Sequence, residues 1–164
     1  MTRYASALYD VLRPGGRLLN HAITRPPSKS TRLPRNSFVG RYVFPDGELL
    51  EVGTTVSALQ QQGFEARHVE SLREHYSRTL HQWVANLQAN WDEAVAEVGP
   101  RRARVWRLYM AGSAAGFEAG RINVHQVLAV HPEAGGMSCM PLRPDWEPVP
   151  AEIDLREEVS ASSP

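Results

Sequence analysis

The residues best able to carry polar chemistry in this chain are its six histidines, its five tyrosines and its single cysteine. His21 lies near the end of a short apolar run that predicts a buried strand, and α/β proteins place their sites at the carboxyl ends of strands. Tyr76 stands at the start of a long amphipathic stretch. An imidazole N–H and a phenol O–H can both donate to an anion. Residue type alone nevertheless favours a structural role for His21, and Tyr76 equally suits the first core position of a helix.

Composition and spacing exclude several classes of function. Lys and Arg total 18, as do Asp and Glu, so the formal net charge is zero and no nucleic-acid-binding face is predicted. His125 and His131 lack acidic or cysteine neighbours at metal-ligand spacing, so a zinc site is not predicted. Cys139, the only cysteine, fits a reducing compartment. Without a signal-peptide core or 18 consecutive apolar residues, we expect a cytoplasmic protein whose contact with a membrane, if any, is peripheral.

The elements that position these side chains follow from hydrophobic periodicity and from Gly and Pro breaks. In chain order they are a helix over residues 1–12, a strand over 17–23, a loop over 24–37, a Pro-Asp-Gly turn at 45–47, a short helix capped by Thr54 or Thr55 and ending at Gly63, a strand over 64–72, helices over 75–98 and 101–117, and a strand over 122–130. This alternation predicts an α/β layer fold. Three strands would leave sheet edges and one face exposed, which suggests that part of the fold is absent.

The chain divides into two regions by composition. Residues 1–131 carry the predicted elements, whereas residues 132–164 are rich in Pro, Gly and Ser. We expect little regular structure in this second region. The loop over 24–37 carries basic residues that could face phospholipid headgroups or simply solvent.

Four stretches occur in an order that matches the motifs of one enzyme family. They are VLRPGGRLL at residues 11–19, RYVFPDG at 41–47, HYSRTLHQW at 75–83 and YMAGSAAGF at 109–117. The first resembles the turn before the fifth strand of Rossmann-like methyltransferases. With the others, and with His125-Gln126-Val127 in the last strand, the set resembles the cyclopropane-fatty-acyl-phospholipid synthase and mycolic acid methyltransferase family. The resemblance covers residues 12–130 and implies the C-terminal half of a Rossmann-like S-adenosylmethionine methyltransferase with an inserted helical lid.

This resemblance implies a reaction and three site residues. The family transfers a methyl group from S-adenosylmethionine to a cis double bond of a lipid acyl chain, and a bound bicarbonate then removes a proton so that a ring can close. His21 matches the histidine that holds the bicarbonate, Ile23 the residue whose backbone contacts it, and Tyr76 the tyrosine whose hydroxyl completes this side of the cage. Phospholipid acyl chains are the implied substrate. Whether the product is a cyclopropane or a methyl branch stays open.

The resemblance also implies that the methyl-donor site is missing. The family binds its donor with a Gly-rich turn and an acidic residue, but no Asp-x-Gly-x-Gly pattern occurs here, and Gly15-Gly16 follows a predicted helix. Cys139 does not match the family's site cysteine. We therefore expect that this chain alone does not bind S-adenosylmethionine. Three alternatives stay open: a piece of an enzyme, a subunit that pairs with a separate N-terminal half or with its own copies, and a small interaction protein.

Overall fold

The computed structural model describes residues 1–27, 34 and 36–142. The elements within these residues are α1 (Thr2–Val11), β1 (Arg17–Thr24), α2 (Phe38–Tyr42), α3 (Val52–Gln60), β2 (Glu65–Ser71), α4 (Arg73–Ala89), α5 (Trp91–Glu118) and β3 (Asn123–Val130). The predicted α/β class is confirmed, and a pair of helices, α4 and α5, is inserted between β2 and β3.

The three strands form one sheet in the order β1-β3-β2. Strand β3 runs antiparallel to both neighbours. Its register with β1 is unbroken over eight residue pairs and places His21 opposite Gln126. On the outer side of β1, within the part of the chain that the structure describes, the only bridge is between Thr24 and Leu50. The exposed sheet edge expected from the sequence is therefore present.

Helices pack on both faces of the sheet and bury two separate apolar clusters, but one face of β1, with Leu19 55% and Ile23 37% exposed, stays open as the sequence predicted. Alternate residues of a strand point to opposite faces, so Val127 and Val124 of β3 belong to different clusters. The first cluster lies beneath α1 and α3 and contains the buried residues Ala5, Leu59, Phe64, Val127 and Ala129. The second lies beneath α4 and α5 and contains Leu80, Ala114, Phe117 and Val124. Full burial of one such large side chain stabilises the fold by about 1.5–3 kcal/mol.

The long helix predicted over residues 75–98 is instead broken at Asn90. Helix α4 ends at Ala89 and α5 starts at Trp91, because Asn90 adopts non-helical dihedral angles (φ −113°, ψ 36°). The apolar spacing continues across this break and so conceals it. The predicted stop at Gly99-Pro100 is present: Gly99 adopts the non-helical angles φ 78° and ψ 158°, so α5 consists of two helical segments that meet there at a kink. Glycine tolerates this positive φ, and the missing proline N–H removes one helical hydrogen bond.

Two short helices also differ from the prediction. Helix α3 is capped not by Thr54 or Thr55 but by Glu51, whose extended backbone precedes the helix and whose carbonyl accepts from the amides of both threonines. Helix α2 was not predicted at all. Its start is fixed by Ser37, whose hydroxyl accepts a hydrogen bond from the Gly40 amide. Of the predicted loop over 24–37, residues 28–33 and 35 lie outside the described residues.

The segment after β3 turns back along one end of the sheet. Residues 132–142 contain no helix or strand, whereas 143–164 lie outside the described residues. The Arg17 guanidinium donates to the Cys139 carbonyl at 3.1 Å, and Arg67 donates to the Pro141 carbonyl at 3.4 Å. These contacts attach the segment to both edge strands. The boundary at residue 131 stays a prediction.

Candidate functional site

The turn between α1 and β1 sets the position of the candidate site. Gly15 adopts φ +76°, and its amide donates to the His131 carbonyl at 2.7 Å. The His131 amide donates in turn to the Gly16 carbonyl at 2.9 Å. These bonds extend the ladder between β1 and β3 and fix its register. They therefore place His21 at one defined point of the sheet.

Helix α4 brings Tyr76 to the same point. The Leu72 amide donates to the Val124 carbonyl at 2.8 Å, which joins the start of α4 to β3. The Tyr76 ring packs near Phe117, with ring centroids 5.7 Å apart. Its hydroxyl oxygen lies 2.7 Å from Nε2 of His21. The two residues singled out by the sequence are thus in direct contact, and Tyr76 is both a packing residue and a polar group at the rim.

A third polar residue, Gln126, joins this pair. Its Nε2 lies 3.2 Å from Nδ1 of His21, so both ring nitrogens of His21 have hydrogen-bonding partners. No sequence pattern selects Gln126 as a site residue, although it belongs to one of the matched stretches. Its contact with His21 depends on the cross-strand register, which joins residues 105 positions apart.

Ile23 contributes its backbone to the outer edge of β1. Val124, its register partner, accepts from Leu72 on the β2 side of β3. Because both backbone polar groups of a strand residue point to the same side, Ile23 and Val124 are a non-hydrogen-bonded pair. The N–H and C=O of Ile23 therefore point away from β3. Arg25, two residues on, donates its N–H to the Leu50 carbonyl at this same edge, which agrees with the alternation.

Two cavities meet at Ile23. The first, about 280 Å³, contacts every residue from 20 to 24 and therefore follows the edge of β1 rather than one face of the sheet. The second, about 300 Å³, is mostly apolar and is lined by Ile23, Val39, Phe44, Gly47, Glu48, Leu49, Tyr109, Ser113 and Ile122. Tyr109, on α5, packs edge-on against both Trp106 and Phe44. Of the polar pair, His21 lines the first cavity, and the apolar cavity begins at Ile23, two residues further along β1.

The glycine turn does not fit the role of a nucleotide cradle. A ligand at such a turn needs free backbone N–H groups. Here the Gly15 amide donates to the His131 carbonyl and the Gly16 amide to the Arg13 carbonyl at 2.8 Å. A side chain at Gly16 would approach that carbonyl to 2.7 Å, so the glycine serves the tightness of the turn itself. Neither amide is available to S-adenosylmethionine.

A second histidine, His125 on β3, lies on the opposite face of the sheet from Gln126. Its Nδ1 is 2.6 Å from the Thr24 hydroxyl oxygen. Partial burial lowers the pKa of this imidazole below its ordinary value, because burial disfavours the charged form. His125 therefore belongs to the packing of the sheet and not to the His21 site.

Comparison with known proteins agrees with this arrangement. Residues 1–127 match the family model described as mycolic acid cyclopropane synthetase. The chain belongs to this family. The match includes His21, Ile23, Tyr76 and Gln126, so all four residues lie within the part of the chain that defines membership.

Two relatives with high sequence identity are lipid methyltransferases by name. The chain is 48% identical over 145 residues to a "probable fatty acid methyltransferase" of Mycobacterium tuberculosis, covering 88% of the chain but 34% of that protein. It is 42% identical over 140 residues to a protein of the same name from Pseudomonas putida, covering 84% of the chain and 36% of the relative. The chain therefore spans about a third of the length of these relatives.

Solved structures show the same fold. A mycolic acid cyclopropane synthase in complex with SAH and CTAB superposes with a TM-score of 0.69 at 28% identity. The superposition covers 78% of this chain and 48% of that structure. The fold is thus that of the S-adenosylmethionine-dependent cyclopropane synthases, and the predicted resemblance is confirmed.

Proposed function

We propose that this chain forms the acyl-chain side of a lipid methyltransferase that adds a methylene or methyl group from S-adenosylmethionine to an acyl-chain double bond. The observation that carries the proposal is the 2.7 Å contact between His21 and Tyr76, at the edge of β1 and beside an apolar cavity. The remaining part of the family's fold supplies the methyl donor.

The polar groups suit a small anion. His21, Ile23 and Tyr76 form one wall, called here the cage wall, in which the Tyr76 hydroxyl and the Ile23 backbone amide serve as donors and the His21 imidazole holds the Tyr76 hydroxyl in place. Such donors, fixed before the ligand arrives, stabilise an anion strongly once water is excluded. Bicarbonate bound here would act as the base that accepts a proton from the substrate. The residues present fit this role, and His21 is exposed in the chain by itself.

The apolar cavity suits an acyl chain. Its volume of about 300 Å³ is at the lower end of the range for ligand pockets, and its walls are mostly aliphatic and aromatic. Ile23 belongs both to this cavity and to the cage wall. An acyl chain in the cavity would therefore bring its double bond close to the anion. Phospholipid acyl chains are the substrate class that we propose.

The outer edge of β1 suits the missing part of the fold. Among the described residues, the outer side of β1 is paired only through the bridge between Thr24 and Leu50, and an unpaired strand edge accepts another strand readily. We propose that a polypeptide carrying the N-terminal half, whether on the same chain or on a separate one, adds to this edge and completes the site. A homo-oligomer is the alternative occupant of the edge.

A surface between α2 and α5 suits peripheral contact with an anionic membrane. No helix within residues 1–27, 34 and 36–142 is long and apolar enough to span a bilayer. A groove of about 500 Å³, called here the α5 groove, is lined by Tyr42, Val98, Trp106 and the arginines Arg101 and Arg102, all of them exposed. Interfacial aromatic residues beside arginines favour the headgroup region of a bilayer.

Aromatic contacts join this groove to the cavity. Trp106 in the groove packs edge-on against Tyr109, at a centroid distance of 5.5 Å, and Tyr109 packs against Phe44 at 5.7 Å. Tyr109 and Phe44 line the apolar cavity. This row offers an apolar path from the membrane surface to Ile23. We propose that the protein takes its substrate from the bilayer along this path, at the cytoplasmic side.

The test is reconstitution of the enzyme from two parts. The 164-residue chain would be mixed with the N-terminal part of the Mycobacterium tuberculosis relative, and transfer of labelled methyl groups to vesicles of cis-unsaturated phospholipid would be measured. We expect transfer by the mixture, none by either part, and loss of transfer when the chain carries His21→Ala. Methyl transfer by the H21A mixture at the wild-type rate would overturn the proposal.

The second candidate function is that of a non-catalytic subunit or interaction module, which the open edge of β1 would also support. Association of the two parts without methyl transfer, while the intact relative is active in the same assay, would favour this alternative.

Calorimetry of the chain with S-adenosylmethionine gives an independent check on the missing methyl-donor site. We expect no saturable binding, because the amides of the glycine turn are already used.

A further inference from the structure

Among the residues that the structure describes, Gln126 is the one side chain bonded to His21 that the cage wall does not include. It lies on β3 directly opposite His21 on β1, and opposite residues of antiparallel strands project from the same face. Its Nε2 is 3.2 Å from Nδ1 of His21. The contact therefore follows from the register of the sheet and does not depend on a flexible loop.

The orientation of the Gln126 amide decides where the protons lie. In the structure its NH2 group, which can only donate, faces Nδ1 of His21, so in this arrangement Nδ1 accepts and carries no proton, whereas the reversed amide would accept from Nδ1–H. In the neutral ring the proton then sits on Nε2, and Nε2–H donates to the Tyr76 oxygen at 2.7 Å. The hydroxyl proton of Tyr76 is not used by His21 and stays free to donate elsewhere.

We propose that Gln126 is a positioning residue that holds His21 in its Nε2–H tautomer, so that the Tyr76 hydroxyl donates to an anion instead of to His21. In the other tautomer Nε2 would be a bare acceptor. The Tyr76 hydroxyl would then donate to it, and the anion would lose this donor. Gln126 thus acts on the anion through the His21 ring and the Tyr76 hydroxyl. The identity of the anion rests on the proposed function, whereas the tautomer of His21 rests on its contacts with Gln126 and Tyr76.

The test is the protonation state of the His21 ring, read from its ¹⁵N chemical shifts in the full 164-residue chain. Protonated and unprotonated ring nitrogens have well-separated shifts. We expect a protonated Nε2 and an unprotonated Nδ1 in the wild type. In Q126E the carboxylate can only accept, so the proton should move to Nδ1 or the ring should become doubly protonated. A wild-type ring protonated on Nδ1, or a ring unchanged in Q126E, overturns the proposal.

A second variant covers the case in which Q126E does not fold. Glu70 on β2 is the register partner of Gln126 on its other side, so Q126E places two carboxylates opposite each other. Q126M keeps a similar shape without charge or donor. In Q126M the ¹⁵N chemical shift of His21 Nδ1 should increase, because this nitrogen no longer accepts a hydrogen bond. An unmoved resonance in Q126M contradicts the proposal.

Bicarbonate binding to the reconstituted enzyme separates this inference from the proposed function. Loss of one hydroxyl donor to an anion should weaken binding of ¹³C-bicarbonate by about tenfold or more in Q126E. If the wild-type enzyme binds no bicarbonate, the proposed function fails, and the ¹⁵N shifts still decide the role of Gln126. If Q126E changes the tautomer but binds bicarbonate like the wild type, the link from Gln126 to the anion is wrong.

Discussion

The Tyr76 hydroxyl oxygen lies 2.7 Å from Nε2 of His21, although the two side chains come from different elements, α4 and β1. The contact joins a helix of the inserted pair to the edge strand of the sheet. The ring of Tyr76 is held separately by Phe117, so its hydroxyl can be removed without disturbing the packing.

Replacement of Tyr76 by Phe should therefore reduce activity and not stability. Loss of a hydrogen bond to a charged ligand should lower kcat/KM of the reconstituted enzyme by about tenfold to a hundredfold. The free energy of unfolding should change by less than about 1 kcal/mol, because the ring packing is retained. The control is Y109F, which removes a hydroxyl from the apolar cavity and should retain activity. Equal losses in Y76F and Y109F would count against the cage wall.

The alternating backbone of β1 predicts opposite effects of proline at two neighbouring positions. Leu19 and Ile23 are four residues apart in the strand, so their amides point to the same side, which is the outer edge of β1. The amide of the adjacent residue Leu18 points the other way, to β3. We expect L18P to destabilise the chain by about 1–3 kcal/mol, because a ladder bond is lost and the carbonyl that accepted it is left unpaired. We expect L19P to fold but to lose association with the N-terminal part. Denaturation curves and sedimentation of the mixture measure the two effects.

Controls for this pair are L18A and L19A, which remove the side chains and keep the amides. If L19P associates as tightly as L19A, the partner does not add to the edge of β1. If L18P folds as well as L19P, the assignment of amide directions is wrong.

The sequence predicted the elements better than their boundaries. Periodic apolar spacing located the three strands and α1, because strand and helix patterns depend on local burial. The same spacing concealed the break at Asn90, since Trp91 continues the apolar face of α4 across it. A usable signal was present: Asn90 is followed by Asp92 and Glu93, an N-cap residue with acidic residues in the first turn. Helix α2 is too short, at five residues, for periodicity to detect.

The candidate site was only partly predictable. His21, Ile23 and Tyr76 could be selected through motif resemblance, because each belongs to a stretch with several matching residues. Their roles stay predictions. Gln126 could not be selected, since its contact with His21 requires the register between strands that are far apart in sequence. The α5 groove depends in the same way on the kink at Gly99, whose direction a sequence does not reveal.

The α5 groove predicts a salt-dependent affinity for anionic vesicles. Each arginine near an anionic membrane surface contributes about 1 kcal/mol, so R101Q/R102Q should bind about thirtyfold more weakly than the wild type. Vesicle sedimentation at low and high salt measures this. The matched control is R3Q/R13Q, which removes the same charge from exposed positions on and next to α1. Equal weakening by both double variants would mean that the α5 groove is not the contact surface.

His125 predicts a loss of stability on acidification. Burial lowers its pKa in the folded chain, whereas the unfolded chain has a value of about 6.5. Between these two values the unfolded state binds more protons, so the free energy of unfolding must fall as the pH decreases below about 6.5. Urea denaturation of wild type and H125N across this range isolates the contribution, which should vanish in the variant. H75N, which removes an exposed histidine from α4, should follow the wild-type curve. Parallel curves for wild type and H125N would show that the burial of His125 does not contribute to the pH dependence of stability.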